Sequence, residues 1–163
     1  MRLFIFFAFI FFSISPAIAT DTPNIDKILI LKEKRKMYLL SNDKQIKEYS
    51  ISLGFEPQGA KDRQGDGKTP EGTYKITGRN PGSKYHKSLR VSYPSAKDIK
   101  KAKELGVDPG GDIMIHGLPN GMCNIGKAHL LKDWTLGCIA ITCEEIEEVW
   151  KLVKDGTTVE IKP

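Results

Sequence analysis

The chain has 163 residues, 40% of them hydrophobic and 28% charged, with a net charge of +5 at pH 7. That size and apolar content suit one domain with its own core, and beyond the N-terminus no stretch is apolar for long enough to span a bilayer. The lysines are spread along the whole chain without interleaved aromatic residues, which excludes the footprint of a nucleic-acid binder and leaves mostly a solvated, mildly basic face.

Residues 1–19 read as an export address rather than as structure. Arg2 is followed by an unbroken apolar run from Leu3 to Phe12, and the stretch closes on Ala17-Ile18-Ala19, the small-x-small pattern that fits a signal peptidase, so cleavage is expected before Thr20. Ser13, Ser15 and Pro16 interrupt the run, which argues against a retained membrane anchor. Residues 20–163 then form one exported domain.

From Ile25 onward, short strands alternate with turn clusters. Strands are expected at Lys27–Leu31, Met37–Leu40 and Gln45–Leu53, with Ser41-Asn42-Asp43-Lys44 as the turn between the last two. Gly54–Gly72 has no periodicity and is rich in Gly, Pro, Asp and Lys, so it reads as a long surface loop. Strands resume at Thr73–Thr77 and Leu89–Tyr93. Ser95 then caps a helix with an Ala96, Ile99, Ala102 stripe that ends at Gly106. Asp112–His116 and Cys138–Ile141 are compact apolar strands. Thr142 and Glu145 form a capping box for a helix to about Lys154 with Ile146, Val149, Trp150 and Val153 on one face, and Thr157–Ile161 is the last strand.

Export places Cys123, Cys138 and Cys143 in an oxidising compartment, and an odd count leaves at least one thiol unpaired. A nucleophilic cysteine needs a base, donors for an oxyanion and an open approach. His116 offers the imidazole, the Leu136-Gly137-Cys138 turn offers backbone N–H groups, and Gly117 and Gly137 leave room for a peptide. Zinc is the rival reading for three Cys with His116 or His129, but there is no C-x-x-C pair and the spacings match no common zinc framework. His86 sits in no motif and receives no role.

Two stretches of local wording carry more than the residue types alone. They are Ile115-His116-Gly117 and, after a loop, Trp134-Thr135-Leu136-Gly137-Cys138-Ile139-Ala140. Together with Gly65-Asp66-Gly67-Lys68-Thr69-Pro70-Glu71-Gly72-Thr73-Tyr74 and Gly110-Gly111-Asp112, they make the chain from Ile25 to its end resemble the L,D-transpeptidase (YkuD-like) catalytic domain.

The resemblance implies a mainly β fold, a β-sandwich of mixed sheets with a few short helices. It implies a location in the periplasm or cell-wall space, no cofactor and no metal. The implied substrates are peptidoglycan stem peptides, with Cys138 as nucleophile, His116 as base, and an acyl-enzyme passed to an amine on another stem or on a wall-attached lipoprotein. Gly137, Thr135, Gly117, Trp134 and His129 become the oxyanion and substrate-binding candidates. Such an enzyme takes part in cell-wall biogenesis and cell shape.

Three positions depart from the family pattern: Leu136 replaces a second His, Ala140 replaces an Arg associated with substrate, and the spacer from His116 to Thr135 is long. The alternatives are a hydrolase, whether an L,D-carboxypeptidase or an amidase acting on stem-peptide or peptidoglycan–lipoprotein bonds, and a non-catalytic wall-binding module on the same fold. Of the three single cysteine pairings, Cys123 with Cys143 pins the loop and spares Cys138.

Overall fold

A computed structural model describes residues 23–163. The expected signal segment, residues 1–19, lies outside the described residues. Among the described residues no helix is long and apolar enough to cross a membrane.

Eight strands form one mixed sheet in the order β3-β2-β1-β8-β4-β5-β6-β7. In chain order they are β1 (Lys27–Leu31), β2 (Lys36–Ser41), β3 (Lys44–Ser50), β4 (Gly72–Ser83), β5 (His86–Val91), β6 (Met114–His116), β7 (Ile139–Ala140) and β8 (Thr158–Lys162). The first half follows from strict alternation. Ile28 and Ile30 of β1 face Leu39 and Met37 of antiparallel β2, and Val159 and Ile161 of parallel β8, so one face of three strands is apolar. All four β1 and β2 side chains are fully buried. β3 is the outer strand, and its exposed Lys44, Gln45, Lys47 and Glu48 keep that edge hydrophilic.

β4 joins the halves. Its first residues, Gly72–Lys75, pair with β8, and Ile76–Ser83 pair with β5. Register shifts after Ile76 and Asn80 bend it as bulges do. Both halves feed one core, in which Ile28, Leu39 and Val159 join Leu89, Ile115 and Ile139, so the sheet folds over itself as a sandwich. β4 runs beyond the expected Thr77, because Gly78-Arg79-Asn80-Pro81-Gly82 reads locally as a turn but is carried by pairing with β5.

The helices α1 (Ala96–Leu105) and α2 (Cys143–Leu152) start at capping boxes, Ser95 with Asp98 and Thr142 with Glu145. α2 presents the expected face, with Ile146 and Val149 fully buried and Val153 following. α1 does not: only Ala102 is buried, while Ile99 is 53% exposed, so its cap and its αL Gly106 define it more than its stripe does. The long spacer holds a 3-10 segment, Cys123–Leu131, broken at Gly126.

The expected surface loop 54–72 is partly an inner wall. Lys32, fully buried, spends all three ammonium protons on it, donating to Gly59 O at 2.6 Å, Thr69 O at 3.1 Å and Glu71 Oε1 at 2.7 Å. Thr69 is itself buried, and its Oγ1 accepts from Gly54 N at 3.1 Å. Loop composition signals a lack of regular structure but not which side of the molecule a loop lies on.

Candidate active site

Cys138 and His116 are brought together by the pleat. β6 and β7 run parallel with His116 opposite Ala140 and Ile115 opposite Ile139. Residues two apart share a face, so Cys138, two before Ala140, stands on the same face as His116, offset along the strands by about 6 to 7 Å. Ile115 and Ile139 point the other way into the core, fully buried. Both reactive side chains line one cleft of about 450 Å³, with Tyr85, Gly111, Asp112 and Trp134 among its walls.

β7 is clamped on its other side by Ser52, which exchanges backbone bonds of 3.0 and 2.9 Å with Ala140. Thr135 is locked in the same way, donating its N–H to Leu53 O at 3.1 Å and accepting from Phe55 N at 3.0 Å. Asp133 ties the turn further by accepting from Leu53 N at 2.8 Å and from Arg35 Nη2 at 2.8 Å. The turn bearing the nucleophile is therefore fixed from three directions.

Inside that turn the Thr135 hydroxyl bridges the backbone, accepting from Gly137 N at 3.1 Å and donating to Cys138 O at 2.8 Å. Thr135 is thus a scaffold residue, and the Gly137 N–H is already engaged; the Cys138 N–H, outside the ladder, is the donor the turn has left. Gly137 has φ +126, and a Cβ there would lie 2.5 Å from Lys68 O, so no side chain fits under the loop 54–72.

The imidazole is fixed as well. His116 Nδ1 lies 2.7 Å from the Gly117 carbonyl, which can only accept, so Nδ1 carries the proton and Nε2 keeps its lone pair. Gly117 acts here through its carbonyl, and it is too tightly packed to admit a Cβ, which would meet Ile146 Cγ2 at 3.0 Å. Tyr85 stacks on the ring at 4.5 Å between centroids, and Trp134 meets it nearly edge-on at 5.8 Å. Burial lowers the His116 pKa to about 4 against the pull of the Gly117 carbonyl, and the nearby His129 lowers it further.

Burial likewise pushes the Cys138 thiol up; the Met114 N–H and the Lys61 charge oppose this, while Asp112 adds to it. The thiol rests against Asp112 O at 3.4 Å. Both partners are therefore neutral at rest, so the proton must leave sulfur as the carbonyl is attacked rather than beforehand.

His129 is not in this cleft. It is buried, with Nδ1 3.1 Å from Ser52 Oγ, and Ser52 Oγ in turn donates to His129 O at 2.9 Å. It lines a neighbouring apolar hollow of about 400 Å³ with Leu118, Met122, Ile125 and Trp134. Trp134 is the shared wall. The Cys123–Cys143 pair is a disulfide that fastens the 3-10 segment to the start of α2, and Cys138 is the free thiol. Near that disulfide His86 Nε2 contacts Glu147 Oε1 at 2.8 Å. Lys61, Tyr85 and Gln64 also line the cleft, and no motif in the sequence singled them out.

A mixed, doubled-over sheet that mounts a cysteine and a histidine on one pleated face has the architecture of an L,D-transpeptidase-type domain. Residues 25–161 match the YkuD family, the L,D-transpeptidase catalytic domain, and the chain belongs to that family. It is 32% identical over 138 residues to YafK of Escherichia coli K12, an L,D-transpeptidase homologue, covering 77% of this chain and 46% of that protein. Among solved structures it is similar to the helical cell shape determining protein Pgp2 of Campylobacter jejuni, with TM-score 0.65 and 28% identity over 86% of this chain and 48% of the other. Mycobacterium tuberculosis L,D-transpeptidase 1 shares the fold at TM-score 0.52 and 12% identity, over 84% of this chain and 60% of the other. The chain spans about half the length of the curated relatives it matches.

Proposed function

We propose that the protein is an exported cysteine acyltransferase acting on peptidoglycan stem peptides. The observation that carries this reading is the fixed tautomer of His116: with Nδ1 committed to the Gly117 carbonyl, Nε2 is left as a base in the cleft that holds the one free thiol among the described residues. Cys138 attacks the carbonyl at the bond before a D-residue while His116 takes the thiol proton, and the Cys138 N–H receives the developing oxyanion. His116 then returns the proton to the departing amine, leaving a thioester. An incoming amine attacks that thioester, and Cys138 leaves as the thiol.

Water in place of the amine makes the same site a hydrolase. Incubating the purified protein with muropeptides, with and without an amine acceptor, and weighing the products by mass spectrometry separates the two. A new amide product and a transient acyl adduct on Cys138 are expected from the parent protein, and neither from a folded Cys138→Ala variant. Turnover by Cys138→Ala at the parent rate refutes the nucleophile assignment, and wall binding without any adduct favours a non-catalytic module.

A further inference from the structure

Lys61 lines the cleft with Cys138 and His116, and it is the sole Lys or Arg among the cleft-lining residues. It is 94% buried by its 6% exposure, an unusual place for an ammonium group. Two of its three protons are spent locally, on Arg63 O at 2.9 Å and Asp66 Oδ1 at 2.8 Å. One proton remains.

Asp66 does not neutralise this cation fully. Its two oxygens also accept from the backbone N–H groups of Asp62 at 2.8 Å, Arg63 at 3.0 Å and Lys68 at 3.0 Å, so its charge is shared with the turn it closes. Burial works against its ionisation, yet the Lys61 ammonium and those three N–H groups outweigh it and hold the carboxyl down at about 2. The field of Lys61 meanwhile reaches the Cys138 sulfur, where it favours the thiolate. A buried cation with an unused proton, within electrostatic reach of the nucleophile, matches a ligand anion more than a loop staple.

We propose that Lys61 is a specificity-determining residue that holds the free α-carboxylate of the residue expelled from the donor peptide. The proposal rests on the acyl-transfer reading above and deepens it. In a peptide whose last residue is the leaving group, the carboxylate carbon lies three bonds beyond the carbonyl carbon under attack, about 4 Å away at most. An anchor near the sulfur therefore selects donors cut at their final residue and rejects internal or amidated ones. Ala140 stands where many relatives carry an Arg, and Lys61 supplies a cation to the cleft from the opposite wall, the loop 54–72.

The test compares two synthetic stem peptides that differ only in the terminal group, a free carboxylate or a carboxamide of the same size. Acylation of Cys138 is followed by mass spectrometry. The parent protein should acylate on the free acid with kcat/KM about ten- to a hundredfold above the amide, the range of one charge-assisted hydrogen bond. Lys61→Met should acylate on both peptides at the amide's rate, with the loss in KM as well as kcat, and Lys61→Arg should recover part of the preference. Alkylation of Cys138 by iodoacetamide checks that each variant is folded, and the peptide comparison on the parent protein needs no variant.

Equal rates on the two peptides by the parent overturn the assignment, as does full discrimination by Lys61→Met. Failure of both peptides to acylate Cys138 while iodoacetamide still reacts strikes the acyl-transfer reading itself, and Lys61 falls with it.

Discussion

Reduction of the Cys123–Cys143 disulfide should destabilise the protein without dismantling the nucleophile. The cross-link spans a sequence separation of 20. The chain-entropy relation assigns a loop of that length about 3 kcal/mol at 25 °C. For a domain of this size such a loss corresponds to a melting temperature lower by about 10 to 15 °C. The structural effect is graded along the spacer. His129 stays bonded to Ser52, and Asp133 to Arg35 and Leu53, so the end of the spacer that leads into Thr135 and Cys138 keeps its anchors. The start of the 3-10 segment loses its tie to α2. Calorimetry with and without a phosphine reductant, beside a Cys123→Ala/Cys143→Ala variant, measures the shift, and thiol counting in denaturant without reductant should find one free thiol. A reduced protein melting within about 2 °C of the oxidised one, or a count of three thiols, would refute the reasoning.

The pH dependence of His116 has a definite sign. Its folded pKa, about 4, lies below the ordinary 6.5, so its contribution to stability is complete above pH 6.5 and is lost as pH falls through 4. The loss amounts to roughly 3 kcal/mol. Urea midpoints from pH 7 to 4 should fall in the parent and fall less in His116→Asn, and equal slopes would contradict the buried neutral imidazole. Acylation of Cys138 by a carbapenem should keep its rate down to about pH 5 in the parent, because the base stays unprotonated until near its folded pKa. Gly137→Ala forces a side chain at φ +126 against Lys68 O and should cost at least about 2 kcal/mol in thermal or urea unfolding. It should also slow iodoacetamide labelling of Cys138, and unchanged stability with unchanged labelling would show that the loop does not bear on the turn.

Much of the architecture was legible from residue order. Strict alternation located β1 to its ends, and the capping boxes at Ser95 and Thr142 placed both helix starts, because a side-chain cap and a period of two are local physics. The words around His116 and Cys138 named the reactive pair. Local rules failed where long-range pairing decided the outcome: β4 continued through Pro81-Gly82 because β5 lay beside it, and the Ile99 stripe of α1 found no surface to cover. Composition placed the loop 54–72 at the surface, yet Lys32 draws it inward until its backbone crowds Gly137.

The sequence by itself determined the periodicities, the caps, the odd thiol and the family wording, since each depends on residues a few positions apart. Only the tertiary structure decided which nitrogen of His116 bears the proton, that Gly137 N–H is engaged by Thr135, that His129 belongs to the neighbouring hollow, and that Lys61 stands in the cleft with Cys138. Those facts depend on contacts between segments distant in the chain. Burial, which sets both the imidazole and the thiol neutral, exists only once the sheet has closed over them.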